Sequence, residues 1–183
     1  MSAMNLTRRL LLAATLVAGF ASGAHAQDAA NTLNLDLKDG RVTIQLDPNA
    51  APKTVAHIQG LVRKHFYDGT PIHRVIPGFM AQMGDPTGKG DGGSGQTVPD
   101  EFGNLPFLRG TVGLARTEEP NSGDSQFFIM FAPSDYLNGK YTVIGQVTAG
   151  MDVVDKIKAG DRASNGVVDQ PDKIIKATLG DMQ

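Results

Sequence analysis

The chain has 183 residues, 19 of them acidic and 17 basic, a net charge of −2 and no cysteine. The lack of cysteine excludes disulfides, thiol chemistry and Cys metal sites, and the lack of a basic run argues against nucleic acid as a partner. Without its first 26 residues the chain has 157 residues and a net charge of −4, enough for one domain that buries roughly 68–70% of its unfolded surface.

Residues 1–26 have the pattern of a cleavable signal peptide. Arg8 and Arg9 precede an apolar run of about 12 residues, and Ala24-His25-Ala26 is a small-x-small cleavage pattern. A membrane anchor is the alternative, but a spanning helix needs roughly 20 apolar residues. We therefore expect cleavage near Ala26 and an exported, periplasmic or secreted domain of residues 27–183 without membrane attachment. The paired arginines also partly resemble a twin-arginine signal, so the export route stays open.

The first elements after the signal are a predicted β-hairpin and a helix. Segments 32–38 and 41–47 alternate apolar and polar residues and are separated by Asp39-Gly40, a pair favoured in two-residue turns. A helix is predicted over about 52–64 because four apolar residues share one helical face: Val55, Ile58, Leu61 and Val62.

Short apolar runs alternate with Gly- and Pro-rich turns through most of the remaining chain, at 72–76, 79–83, 111–115, 126–131 and 142–147. This rhythm is typical of a β-sandwich or barrel. A second helix is predicted over 151–158 and a closing strand over 173–179. Periodicity alone therefore predicts one mostly β domain with two helices.

The most informative segment, residues 72–85, reads IHRVIPGFMAQMGD and sets one cation, Arg74, among large apolar side chains. Desolvating a guanidinium there is costly unless it is paired or used by a ligand, so Arg74 is either an ion-pair member or a site residue. Together with Ser125-Gln126-Phe127-Phe128-Ile129, the segment resembles the signature of the cyclophilins, the cyclosporin-binding class of peptidyl-prolyl cis-trans isomerases. The resemblance runs from about Leu33 to Leu179.

This resemblance implies a closed eight-stranded antiparallel β-barrel capped by two α-helices. It also implies an isomerase that rotates X-Pro peptide bonds without a covalent intermediate, cofactor or metal. The partners would be Pro-containing segments of client proteins and cyclosporin-type ligands. No oligomerisation segment is evident in the sequence, so we expect a monomer.

The resemblance also implies roles for individual residues. Arg74 matches the family's catalytic hydrogen-bond donor, and Gln82 matches the Gln that bonds the substrate backbone and steadies that Arg. Because apolar strand residues usually belong to the core, only the family motifs select the expected substrate-binding set: Phe79, Met80, Ala115, Arg116, Gln126, Phe128, Tyr136, Leu137 and Tyr141.

Three of the expected site residues, and Ile144 beside them, depart from the family pattern. Arg116 stands where many members have Asn, which changes the charge beside the substrate strand. Tyr136 replaces the Trp that contacts cyclosporin, so we expect weaker drug binding. Tyr141 replaces a His, whose hydrogen bond a hydroxyl can reproduce. Ile144 stands where Phe is common, and we expect it to reshape one wall of the Pro pocket.

Other interpretations have less support from the sequence. The Gly-rich run 84–95 lacks the spacing of a phosphate loop, and the histidines lack metal-ligand spacing. A different class of function remains as the alternative: a non-catalytic module that holds Pro-containing segments in the same groove. The presence of Arg74 with Gln82 favours the enzyme, because binding alone needs only the apolar pocket.

Overall fold

The computed structural model describes residues 28–182, so the predicted signal peptide lies outside the described residues. Within that range no helix has the length and apolar character required to cross a bilayer. The elements in chain order are β1 (Thr32–Leu37), β2 (Gly40–Leu46), α1 (Pro52–Arg63), β3 (Arg74–Ile76), β4 (Met80–Met83), β5 (Thr111–Leu114), β6 (Phe127–Met130), β7 (Val143–Ala149), α2 (Met151–Val154) and β8 (Lys176–Leu179).

The predicted hairpin of β1 and β2 is present, with its turn one residue earlier than expected. Leu37 pairs with Gly40, so the turn residues are Lys38 and Asp39, and Gly40 already belongs to β2. Gly40 has a φ of 140°, which residues with a side chain rarely adopt. A Cβ at this position would also lie only 3.0 Å from Val153 of α2. The glycine therefore serves both the start of β2 after the turn and the packing of the second helix.

The strands form one curled antiparallel sheet in the order β3-β4-β6-β5-β7-β2-β1-β8. Its two edges are joined through the segments that precede β3 and β8. The Ile72 N–H donates to the Asp172 carbonyl at 2.8 Å, and the Ile174 N–H donates to the Thr70 carbonyl at 2.9 Å. Edges that find such partners are protected from pairing with other chains. The mostly β, eight-stranded antiparallel architecture predicted from the sequence is confirmed.

Both helices bury apolar residues in the core of the sheet. The helix α1 lies where it was predicted, and α2 is shorter than the predicted 151–158. It ends at Val154 because the chain then tightens: the Ile157 N–H bonds the Val154 carbonyl at 3.2 Å, three residues back. The Lys158 N–H is taken by the Asp172 carboxylate at 2.8 Å, so the helix cannot continue.

Side-chain alternation along β3, β4 and β6 divides their residues between two faces. The inner face contributes five residues to the barrel core: Val75, Ala81, Met83, Phe127 and Ile129. On the outer face the strand register sets Arg74 opposite Gln82 and Gln82 opposite Phe128. Three neighbouring strands thus place a cation, an amide and an aromatic ring in one row.

Candidate active site

A groove of about 160 Å³ opens on the outer face of β3, β4 and β6. Gln126, which was also predicted to belong to the site, lies behind Gln82 and is hydrogen-bonded to it. The other ten predicted site residues all line the groove: Arg74, Phe79, Met80, Gln82, Ala115, Arg116, Phe128, Tyr136, Leu137 and Tyr141. The fold therefore gathers the whole predicted set at one place.

Arg74 is held by neutral acceptors. Its Nη1 donates to Oε1 of Gln82 at 3.1 Å. Its Nε donates to the main-chain carbonyl of Asn165 and its Nη2 donates to Oδ1 of the same residue, both at 2.9 Å. No carboxylate of residues 28–182 pairs with Arg74, which removes the ion-pair alternative within that range. Burial lowers the pKa of Arg74, but an arginine stays charged in proteins.

A relay of amides runs from Arg74 to the Gly-rich loop. Because arginine can only donate, Gln82 must turn its oxygen towards Arg74 and its Nε2 towards Gln126, whose Oε1 accepts at 2.8 Å. The Nε2 of Gln126 then donates to the carbonyls of Gly92 at 2.8 Å and Gly90 at 3.1 Å. Each bond thus determines the orientation of the next amide, so the position of Arg74 depends on the whole relay.

The loop at the end of the relay is organised around a buried carboxylate, Asp85. The carboxylate accepts the N–H groups of Thr87 at 2.7 Å, Gly90 at 2.6 Å and Gly92 at 3.2 Å. Burial works to raise the pKa of Asp85, but these hydrogen bonds outweigh it and hold the pKa below its usual value. These N–H groups therefore bind the loop's own carboxylate, and the carbonyls of Gly90 and Gly92 face Gln126.

His73, beside Arg74 in the chain, is only 5% exposed, and neither ring nitrogen has a partner within residues 28–182. Burial lowers its pKa, against the attraction of Asp85. Two other histidines face carboxylates, His57 at 3.3 Å from Asp124 and His65 at 3.1 Å from Asp68. In the part of the chain that the structure describes, no group of three or more acidic, His or Cys side chains could hold a metal.

The floor of the groove is an apolar cluster separate from the barrel core. The Phe128 ring stacks on Phe107 at 5.7 Å, and the Tyr141 ring meets Phe128 edge-on at 5.8 Å. At the rim, Phe79 lies 6.2 Å from Tyr136, which is 60% exposed. The floor is thus buried and aromatic, whereas the Tyr136 side of the groove is open to solvent.

Phe107 was not among the predicted site residues, because it lies in a loop without periodic pattern. Its place depends on Gly113 of β5, which lies opposite Phe128 in the strand register. A Cβ on Gly113 would lie 2.5 Å from the Phe128 ring and 2.6 Å from the Phe107 ring. The glycine leaves the space in which the two rings stack.

The expectation that Ile144 shapes the pocket wall is wrong. Ile144 is fully buried in the barrel core, whereas Val143, on the other face of β7, packs against the apolar cluster of the groove. The strand register shifts here, since Val112 pairs with Gly145 and Gly113 pairs with Val143, so Ile144 is the extra residue of a β-bulge in β7.

Arg116 is compensated by its surroundings. Its Nε lies 3.5 Å from the Asp100 carboxylate, and its guanidinium lies over the Phe102 ring, 5.3 Å from the centroid. Its two Nη atoms donate to the carbonyls of Lys140 at 3.3 Å and Glu118 at 3.2 Å. The guanidinium that stands where the family has Asn is therefore bound by neighbouring groups of the protein, and it adds little unpaired charge to the groove.

The main chain at Ala115 and Arg116 is available to a ligand. The Ala115 N–H is used, since it donates to the Gln126 carbonyl at 2.9 Å. The Ala115 carbonyl and both main-chain polar groups of Arg116 make no hydrogen bond to any described residue. An extended peptide could pair with these groups as an added strand.

Comparisons with known proteins agree with this geometry. The family model described as "Cyclophilin type peptidyl-prolyl cis-trans isomerase/CLD" matches residues 32–179. A probable peptidyl-prolyl cis-trans isomerase of Brucella suis is 52% identical over 191 aligned positions, covering 96% of this chain and 97% of that protein. Peptidyl-prolyl cis-trans isomerase B of Bacillus subtilis is 42% identical over 128 positions, covering 68% of this chain and 89% of that protein.

Solved structures show the same relationship. A cyclophilin from Hirschia baltica superposes with a TM-score of 0.74 at 26% identity, covering 90% of this chain and 81% of that one. A cyclophilin-type isomerase from Cryptosporidium parvum, determined in the presence of the dipeptide Ala-Pro, gives 0.73 at 27% identity, covering 81% of this chain and 98% of that one. The chain therefore belongs to the family of cyclophilin-type peptidyl-prolyl cis-trans isomerases.

Proposed function

We propose that this isomerase acts on Pro-containing segments of folding or extracytoplasmic proteins, with Arg74 as its catalytic group. Family membership supplies the reaction, rotation about an X-Pro bond, while the residue roles, client class and location are our proposal. One observation carries the residue roles. Arg74 is held by three hydrogen bonds to neutral acceptors at the edge of an apolar groove. A guanidinium has five N–H donors, so two remain for a substrate.

Rotation about an X-Pro bond can be accelerated by such a hydrogen-bond donor. Rotation passes through a twisted amide that has lost its resonance, at a barrier of about 18–20 kcal/mol. The proline nitrogen then becomes pyramidal and can accept a hydrogen bond, which the planar ground state cannot. A donor such as an Arg74 N–H would therefore bind the twisted state more strongly than either planar isomer. Differential binding of this kind accelerates the reaction.

The rest of the groove would hold the two sides of the rotating bond apart. The apolar pocket would hold the proline ring, with Phe128 as its floor and Phe79 at its rim. The free main-chain groups of Ala115 and Arg116 would pair with the peptide as an added strand. Gln82, steadied by Gln126, would keep the donor aligned during rotation.

The required stabilisation is within reach of these contacts. To raise the rate from about 0.01 to about 1000 per second, the enzyme must lower the barrier by roughly 7 kcal/mol. One preorganised donor in a desolvated site contributes about 2.7–4 kcal/mol. Holding the reacting group in one geometry can contribute the remainder. No bond is made or broken, so these two terms suffice.

The isomerase assay tests the proposal. We would follow cis to trans relaxation of a short X-Pro peptide with the purified protein, Arg74→Ala and Phe79→Ala. The wild type should accelerate relaxation strongly, and Arg74→Ala should lose most of that acceleration while keeping its circular dichroism spectrum. A folded wild type without acceleration would contradict the proposal and leave the groove as a binding module.

The proposed location rests on the signal-like residues 1–26. We would express the full chain in a Gram-negative host and determine the N-terminus of the product by mass spectrometry. Export predicts a periplasmic product that begins at Gln27. Full-length protein retained in the cytoplasm would contradict it. Tyr136, which stands where the family pattern has Trp, supports the further expectation of weak cyclosporin inhibition.

A further inference from the structure

Asn165 holds two of the three Arg74 donors that the protein uses. Its main-chain carbonyl accepts from Nε and its Oδ1 accepts from Nη2, both at 2.9 Å. Gln82, the partner that the family resemblance implies, holds only Nη1. Two bonds from one residue to two atoms of a planar group fix the orientation of that plane as well as its position. Asn165 therefore controls the rotation of the guanidinium.

The backbone around Asn165 is built to present these two oxygens. Asn165 has a φ of 55°, in the left-handed region where Asn is among the few tolerated residues. The following Gly166 is buried, and a Cβ there would lie 2.5 Å from the Ile76 side chain. The Asn-Gly pair thus allows the loop to press closely against β3.

The loop that carries Asn165 is fastened along β3 like a further strand. The Gly160 N–H donates to the Val75 carbonyl at 3.0 Å, and the Val75 N–H donates to the Gly166 carbonyl at 2.7 Å. The Val168 N–H donates to the His73 carbonyl at 3.0 Å. The loop is therefore anchored on both sides of Asn165, and its register on β3 sets where the two oxygens lie.

We propose that Asn165 is a positioning residue of the isomerase, which fixes the Arg74 guanidinium from the side opposite Gln82 and so aims its two free N–H donors. This rests on the proposed role of Arg74. The Asn165 side chain supplies the bond to Nη2, and without it the guanidinium would keep only the bonds from Nε to the Asn165 carbonyl and from Nη1 to Gln82, which hold its plane less tightly. Misplacement of a reacting group by about 1 Å can cost 100-fold in rate. Partial loss of orientation should therefore lower kcat about fivefold to tenfold.

The test removes Oδ1 and keeps the backbone. Asn165→Gly tolerates the positive φ and retains the main-chain carbonyl. The matched control is Gln170→Gly, a second residue with positive φ, 49°, whose side chain bonds no described residue. Both changes are made in the wild-type and Arg74→Ala backgrounds, and kcat and KM are measured with one X-Pro peptide at enzyme concentrations that resolve residual activity.

We expect Asn165→Gly to lower kcat about fivefold to tenfold with KM within twofold, and to have no further effect once Arg74 is Ala. Gln170→Gly should stay within twofold of its parent in both backgrounds. An Asn165→Gly protein with wild-type kcat, beside an Arg74→Ala protein that has lost activity, would overturn this inference and leave the proposed function standing. An equal loss in both backgrounds would show a purely structural role and overturn it too. Full activity of Arg74→Ala would instead sink the proposed function itself.

Discussion

Phe127 and Phe128 are the same residue type, adjacent on β6, and they belong to different parts of the molecule. Phe127 is completely buried among the core residues of the barrel. Phe128 points the other way, into the separate apolar cluster under the groove, and keeps 5% of its surface exposed. One step along a strand thus separates a residue of the barrel core from one of the groove floor.

The two faces also differ in what their residues must satisfy. Inner-face residues such as Val75 and Ile129 need only the right volume and shape, because they carry no polar side-chain atom. On the outer face Arg74, Gln82 and Gln126 form a directed relay in which each bond decides the next. The core therefore tolerates conservative exchange better than the groove, where an isosteric change of hydrogen-bonding type breaks the order.

Replacing Phe127 and Phe128 by alanine in turn should separate loss of stability from loss of activity most clearly. Phe127→Ala should lose about 3–5 kcal/mol of unfolding free energy, the usual cost of emptying a core site, and keep its activity per folded molecule. Phe128→Ala should lose less stability, because one side of the Phe128 ring already borders the open groove. Its kcat/KM should fall at least tenfold. Urea unfolding and the peptide assay measure the two quantities. Parallel losses in both variants would contradict the division between faces.

Gly113→Ala tests whether the groove floor needs the space beside Phe128. The new methyl would lie 2.5 Å from the Phe128 ring, so we expect an overpacking cost of about 1–3 kcal/mol and roughly tenfold lower activity. The matched control is Gly60→Ala in α1, where a Cβ meets no atom within 4 Å. That change should be neutral or stabilise by up to about 1 kcal/mol. Wild-type activity in Gly113→Ala would refute this account of the floor.

A third prediction concerns the relay. Gln126→Leu removes the acceptor for Gln82 and the donor for the Gly90 and Gly92 carbonyls. We expect kcat to fall about threefold to tenfold, with KM within twofold, because Arg74 loses support only indirectly. Gln59→Leu is the control, since Gln59 bonds Ala30 and Asn31 away from the groove. Equal kcat values in the two variants would disprove the relay.

The smallest expected effect is a pH dependence at His73. Burial holds its folded pKa below the ordinary value of 6.5, so the unfolded chain binds the proton more readily. The contribution of neutral His73 to the free energy of unfolding is therefore complete above pH 6.5 and is lost as the pH falls from there towards the folded pKa. The depressed pKa of Asp85 acts in a lower window, below its ordinary value of 3.8.

The measurement is the unfolding free energy at pH 7 and pH 5. It should fall less in His73→Leu than in the wild type, since Leu binds no proton. Met83→Leu, another buried replacement, should keep the wild-type difference. Identical pH differences in wild type and His73→Leu would show that His73 does not titrate in this window.

Local pattern was sufficient for elements whose boundaries are set by their own residues. Alternation and the nearby glycine predicted β1 and β2, and the apolar face predicted α1. The end of α2 was not predictable in this way, because it depends on Asp172, a residue 14 positions beyond Lys158. The hairpin turn was missed by one residue: Gly40 pairs with Leu37 within the ladder and also lies close to Val153 of α2, a long-range contact that local pattern does not show.

The site shows the same limit. Motif resemblance selected residues that strand alternation and register then place in one row, as with Arg74, Gln82 and Phe128. Phe107 and Asn165 lie in loops without periodic pattern. The Phe107 N–H is held by Asn138 at 2.9 Å, and Asn165 is held through the loop bonded to β3. Such long-range contacts leave no local signal beyond the Asn-Gly turn pair.

The most direct test of the account separates turnover from binding at Arg74. Exchange NMR on one X-Pro peptide gives both the cis to trans rate on the protein and the affinity, in wild type and in Arg74→Ala. If Arg74 acts on the twisted state, the rate should fall about 100-fold, equivalent to about 2.7 kcal/mol, while the affinity changes less than threefold. A rate on the protein that is unchanged, with affinity lost instead, would contradict the account and make Arg74 a binding residue.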